Sequence, residues 1–96
     1  MTKLLSVGRC PSCGEGSLGV RVSASGDSMV GLCDECDAVW LDPRLTDGPH
    51  FPRQPDLPSP ADGASLLAHP AHWATRNEVE PTDWRDAVVD EVDAFE

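Results

Sequence analysis

"CDECDAVWLDPRL", residues 33–45, sets a CxxC pair directly before a dense apolar run, Val39-Trp40-Leu41, that stops at Asp42-Pro43. Alone, such a pair can be half a metal site, a redox couple or part of a disulfide framework. The second pair, "CPSCG" at 10–14, narrows the choice: nineteen residues separate Cys13 from Cys33. Two CxxC pairs at this distance, each in a turn between strands, form a strong zinc pattern. A CxxC turn points both sulfurs at one ion while its backbone N–H groups face them, and a hairpin brings the second turn round to complete a tetrahedron. Gly14 stands where the turn needs a left-handed or open residue, and Asp37 holds the same place in the second turn. Cys10, Cys13, Cys33 and Cys36 are therefore the expected metal ligands.

The residues between and around the pairs read as short strands. Residues 3–7 (KLLSV) are extended. "SLGVRVS", 17–23, alternates Leu18, Val20 and Val22 with Gly19 and Arg21, the period of a half-buried strand. "ASGD" at 24–27 is turn chemistry, "SMVGL" at 28–32 returns as the hairpin partner, and 38–41 makes a fourth extended piece. A unit of about forty residues is at the limit of what a core alone can hold, and a structural zinc, worth ~10–16 kcal/mol in small fingers, orders it.

From Asp47 the composition changes. "DGPHFPRQPDLPSPADG" holds five prolines in seventeen residues and reads as an extended, partly polyproline-II linker or wrapping arm. "SLLAHPAHWAT", 65–75, has apolar residues able to dock, but Pro70 interrupts a long helix, leaving a helical turn or short helix at 71–77. In "EPTDWRDAVVDEVDAFE" Pro81 and Thr82 are a helix start signal, and Trp84, Ala87, Val88, Val92 and Phe95 share one face of a helix over 82–95. The expected fold is a small zinc-stabilised β fold, a zinc ribbon of antiparallel hairpins, with a proline-rich extended arm and a C-terminal α-helix. Its organisation is a four-cysteine ribbon at 1–46, a linker at 47–64 and an acidic helical segment at 65–96.

Acidic residues outnumber basic ones 17 to 7. Four basic and six acidic side chains fall in 1–46, against three and eleven in 47–96, so the second half carries most of the negative charge. Such a chain repels phosphate backbones and anionic membranes and favours basic partners. No stretch approaches the ~20 apolar residues of a membrane span. The apolar part of "MTKLLSVGRC" is too short for an export signal, and Arg9 sits where a lipoprotein site before Cys10 wants a small residue. The expected location is the cytoplasm, where structural disulfides are uncommon. Two disulfides, a redox-active CxxC and a rubredoxin-like iron site remain as alternatives to zinc. His69 and His72, spaced HxxH, lack companion ligands and read as surface or packing imidazoles. Four thiolates close a metal's coordination shell, and no nucleophile elbow, P-loop or dinucleotide fingerprint occurs, so no enzyme is expected.

Residues 9–45 resemble the transcription factor IIB-type zinc ribbons of small bacterial proteins. The residues that carry the likeness are "CPSC" and "CDECDAVWLD", with Cys10, Cys13, Cys33 and Cys36 in the ligand places and Val39-Trp40-Leu41-Asp42 in the trailing run. Asp37-Ala38 stands where those ribbons have a glycine pair, and Pro43-Arg44 where they have Gly-Glu. The resemblance implies a ribbon fold and one zinc, and no defined activity. In a thin ribbon Val39 and Leu41 face one side and Trp40 the other, so one face caps the metal end. The leading functional expectation is a non-enzymatic adaptor bound to another protein with a basic surface, with Trp40, Trp84, Val88, Val92 and Phe95 as candidate contact residues. The alternatives are a transcription-associated ribbon that binds nucleic acid, for which Lys3, Arg9, Arg21 and Arg44 make a poor basic face, and an iron electron carrier.

Overall fold

Alternating apolar residues pair into one antiparallel sheet in a computed structural model, which describes residues 2–52 and 56–94. The strands are β1 (Thr2–Arg9), β2 (Ser17–Val22), β3 (Met29–Cys33), β4 (Val39–Trp40), β5 (His72–Trp73) and β6 (Asp90–Ala94), in the order β4-β3-β2-β1-β6. β5 lies off this path and pairs with β2. The hairpin expected from 17–32 forms with Leu18 opposite Cys33 and Val22 opposite Met29. The far edge of β2 is shared: β1 takes Ser17 and Gly19, and β5 takes Arg21 and Val22.

β1 does not run straight into the first cysteine. Its register on β2 slips by one residue between Ser6 and Arg9, a bulge in which Gly8 takes φ +122° and donates its N–H to Ser6 Oγ at 3.0 Å. Side chains with a Cβ rarely adopt that backbone, so glycine permits the bend that aims Cys10 across the hairpin.

Each strand sends alternate residues to opposite faces of the sheet, and each face has its own cover. On one face Leu4, Val30, Leu32 and Val39 pack with Leu57, Leu66 and Trp73, joined at the margin by Leu41 and Val92. On the other, Leu5, Val20 and Val22 meet Ala74, Val79 and Trp84, with Ala87 and Val88 alongside. Trp84 lies across Gly31, where an added Cβ would stand 3.2 Å from the indole. The proline-rich stretch is thus not a free connection. Leu57 comes out of it buried, as is Leu66 just beyond it, and Leu66 N–H donates to the Leu57 carbonyl at 2.8 Å. The radius of gyration, 11.6 Å, is no larger than the ~12.5 Å of a compact chain this long, which leaves no dangling arm among the described residues.

The C-terminal segment departs most from expectation. Thr82 does cap a helix, but a 3-10 turn at Asp83–Asp86 that ends at once; a four-residue α1 (Arg76–Val79), capped by Thr75, precedes it. His72–Trp73, expected in a helical turn, is strand β5. Residues 90–94, expected to be helical, pair as β6 along β1 from Thr2–Ala94 to Ser6–Asp90. Val88, Val89 and Val92 favour extended backbone, and the outer edge of β1 offers five residues a ladder that a lone helix in water lacks. No helix among the described residues is long and apolar enough to cross a membrane.

Candidate metal centre

Two turns build the site. In the first, Gly14 N–H closes onto the Cys10 carbonyl at 2.9 Å, and Cys10 N–H reaches the Gly16 carbonyl at 2.8 Å. In the second, Cys33 N–H donates to the Ala38 carbonyl at 3.0 Å. Gly14 at φ +73° and Asp37 at φ +63° both take the left-handed conformation expected after each second cysteine. Asp34 staples the turns together: its carboxylate accepts Ser17 N–H at 2.9 Å, and its own N–H donates to the Ser17 carbonyl at 3.2 Å.

The hairpin brings the four sulfurs within 4.8 Å of one another. Cys10 and Cys36 Sγ lie 3.7 Å apart, as do Cys13 and Cys33 Sγ. Disulfide sulfurs stand ~2.05 Å apart, and all four cysteines are free thiols. The spacing suits a shared ion instead: a tetrahedron with metal–sulfur bonds of ~2.3 Å has sulfur–sulfur edges of ~3.8 Å. The four cysteines are positioned to bind one metal ion.

Backbone donors prepare the sulfurs for a cation by favouring the thiolate. Gly16 N–H faces Cys13 Sγ at 3.5 Å, while Glu35 and Cys36 N–H face Cys33 Sγ at 3.3 and 3.4 Å. Cys13 sits at the surface, and the Gly16 N–H, helped by that of Glu15, lowers its pKa to about 7. Cys33 is fully buried, and desolvation pushes its thiol up despite the Cys36 and Glu35 donors. Burial raises Cys36 as well. A buried thiol held above its ordinary value becomes a thiolate readily when a metal cation supplies the compensating charge.

Two glycines around the sulfurs, Gly16 and Gly48, are not legible as site residues from the sequence. Gly16 is pressed into the cluster: a Cβ there would fall 2.7 Å from Cys33 Sγ. Its signal was the glycine density of 14–19, which motif reasoning weighs only for phosphate loops. Trp40, 2 % exposed, packs with Cys10, Leu18, Cys33 and Ala38 as the lid of the metal end. Gly48 lies over that indole, a Cβ there being 2.8 Å from its Cδ1. The loop carrying Gly48 is held by the Asp47 carboxylate, which accepts the N–H groups of Leu41 and Asp42, each at 2.9 Å.

The four described candidate contact residues do not form a surface. Trp40 and Trp84 are buried, so a partner-facing role for either is corrected to core packing. Val88 and Val92, read as one stripe, sit partly buried on opposite faces of the sheet. Phe95 lies outside the described residues. Among the described residues neither His69 nor His72 joins a group of three or more metal-ligating side chains. The His72 ring places Nδ1 2.9 Å from the Pro70 carbonyl and Nε2 2.8 Å from the Glu78 carboxylate.

Fold and site together define a small antiparallel β protein with a four-cysteine metal-ion site and a zinc-ribbon-like hairpin. No protein-family profile, curated protein or solved structure matches the chain.

Proposed function

We propose that the protein is a zinc-stabilised, non-catalytic binding module that works by contact with another protein bearing a basic surface. The observation that carries the reading is the set of four sulfurs with cross-turn spacings of 3.7 Å, close to the edge of a zinc–thiolate tetrahedron. Four thiolates satisfy zinc completely, so the ion's task is to tie the two turns together and not to activate water or substrate. The likeness of 9–45 to transcription factor IIB-type ribbons supports the same assignment. The excess of acidic over basic residues, 17 to 7, supports a basic protein partner over nucleic acid, since phosphate binding draws on clustered lysine and arginine.

Elemental analysis of protein purified without added metal tests the first half, with one zinc per chain expected. Stoichiometric iron with a visible charge-transfer band would install the electron-carrier reading in its place. For the second half, the protein is used as bait in extract with and without nuclease treatment, at low and at high salt. A protein partner retained at low salt and released at high salt supports the module. Retention that disappears with the nuclease, or direct binding to random DNA or RNA, would replace it with the nucleic-acid reading.

A further inference from the structure

The two edges of the sheet are treated differently. At β4 a loop closes the edge: Val39 N–H donates to the His50 carbonyl and His50 N–H to the Val39 carbonyl, both at 2.8 Å. At the other end of the order stands β6, and among the described residues no strand pairs with its outer side. In an antiparallel ladder the residues of an edge strand turn alternate N–H and C=O groups outward, a template for one more strand. Consecutive side chains point to opposite faces, so the exposed Asp90 and Glu91 put a carboxylate on each face of this edge, that of Glu91 lying 3.6 Å from Arg76 Nε, a surface ion pair that a competing cation can share. Immediately before them Val89 is 72 % exposed, an apolar foothold beside the open strand.

We infer that the outer edge of β6 is a docking site for an extended peptide segment carrying adjacent basic residues, which adds to the sheet as a further strand. The inference rests on the adaptor reading and names the chemistry of its partner. Main-chain hydrogen bonds supply affinity in such strand addition and side chains supply selectivity, here as lysine or arginine on both faces opposite Asp90 and Glu91. A second copy of this chain is the poorer occupant, because antiparallel self-pairing would set "DEVDA" against itself, carboxylates facing carboxylates. Like charges directly opposite are destabilising.

The test uses the full metal-loaded chain and a synthetic peptide, Thr-Val-Lys-Lys-Val-Thr, with a second peptide in which both lysines are glutamates. Binding is followed by amide shift perturbation and by titration calorimetry. The lysine peptide is expected to perturb amides of 89–94, to weaken with added salt, and to bind at least about tenfold more weakly to the double variant Asp90→Lys, Glu91→Lys. That variant is expected to accept the glutamate peptide instead, a charge swap that general loss of structure does not produce. Peptide shifts confined to other acidic sites, such as those near Asp83 and Asp86, would overturn the edge site while leaving the adaptor reading standing. Absence of binding to native protein, or a dimer whose shifts map to β6, would overturn it as well. Edge binding by a protein that retains no partner from extract would leave the site and remove the adaptor reading.

Discussion

Gly16 carries more of the metal centre than its missing side chain suggests. Its N–H faces Cys13 Sγ, its carbonyl receives Cys10 N–H, and the space of a Cβ is filled by Cys33 Sγ, Glu35 Cγ and Asp34 Oδ1 at 2.7, 2.7 and 2.8 Å. Gly16→Ala must therefore push one turn away from the other, and a loss of about 10–100-fold in metal affinity is expected. Competition against a chromophoric chelator measures it, with Gly14→Asn as the control, since nothing lies within 4 Å of a Cβ at Gly14 and asparagine tolerates its left-handed backbone. Equal affinity of native and Gly16→Ala protein would show that the turns adjust freely. His72 gives a second residue-level expectation. Both its ring nitrogens face acceptors, so only the doubly protonated cation satisfies both, and its pKa is raised, first by the Pro70 carbonyl and then by Glu78, against desolvation and a smaller push from Arg21. Glu78 is lowered: desolvation works to raise it, but the Thr75 N–H and the His72 ring outweigh that. A raised histidine stabilises the fold fully below its ordinary 6.5 and loses this as pH rises through the raised value; a lowered glutamate stabilises above 4.5 and loses this as pH falls through the lowered value. The pair contributes most between about pH 4.5 and 6.5, and by little, because both side chains are substantially exposed. An NMR titration should place the His72 midpoint above 6.5, with Glu78→Gln bringing it down. An unchanged midpoint in that variant would assign the shift to the Pro70 carbonyl alone.

At the level of elements, the arm behaves as part of the core. Leu57 is 3 % exposed in the cluster with Leu4, Val30 and Trp73. Leu57→Ala is expected to cost about 2–5 kcal/mol in denaturant unfolding of the metal-loaded protein. The same truncation in a solvated linker stays within about 0.5 kcal/mol, and that smaller value would return 47–64 to the status of a connection. The ribbon hairpin and its ligands were readable because their information is local: CxxC spacing fixes the turns, and period-2 alternation fixes the strands between them. The covering elements were not, because their conformation depends on distant surfaces. A string of prolines does not announce that Leu57 packs with Val30 and Leu32 of β3. The apolar positions of 84–95 fit a helical stripe, yet the described part of this segment, 84–94, serves as a capped turn followed by a strand once β1 offers an edge. Local propensity favoured the strand through its valines, while the expected helix rested on periodicity and on the Thr82 cap, which the structure uses for one turn only.

At the scale of the whole molecule, the four candidate metal ligands gather at one end. Cys10 and Cys33 belong to the cluster around Leu18, Ala38 and Trp40, whereas the two clusters that hold β1, β2, β3, β5 and the covering elements contain none of the four ligands. β3 contributes to all three and β2 to two of them, and the pair runs from Leu18–Cys33 at the metal end to Val22–Met29 at the other. In small fingers the ion supplies ~10–16 kcal/mol and the apo chain is unfolded. Here the far end of the sheet has an apolar core of its own, covered on both faces, and should not require the ion. Chelation is therefore expected to loosen residues 10–18 and 33–48 while the sheet around Val20, Val30 and Leu4 persists. The chain's three tryptophans report this without labels. Trp40 lies on the metal cluster, Trp73 in the core of one face and Trp84 in the core of the other. On adding chelator, the Trp40 indole N–H signal should shift or broaden first, with Trp73 and Trp84 keeping their native positions until heat or denaturant is applied. Simultaneous loss of all three would make the protein one cooperative unit held by its metal, and the apolar clusters at the far end would then be too weak to stand on their own.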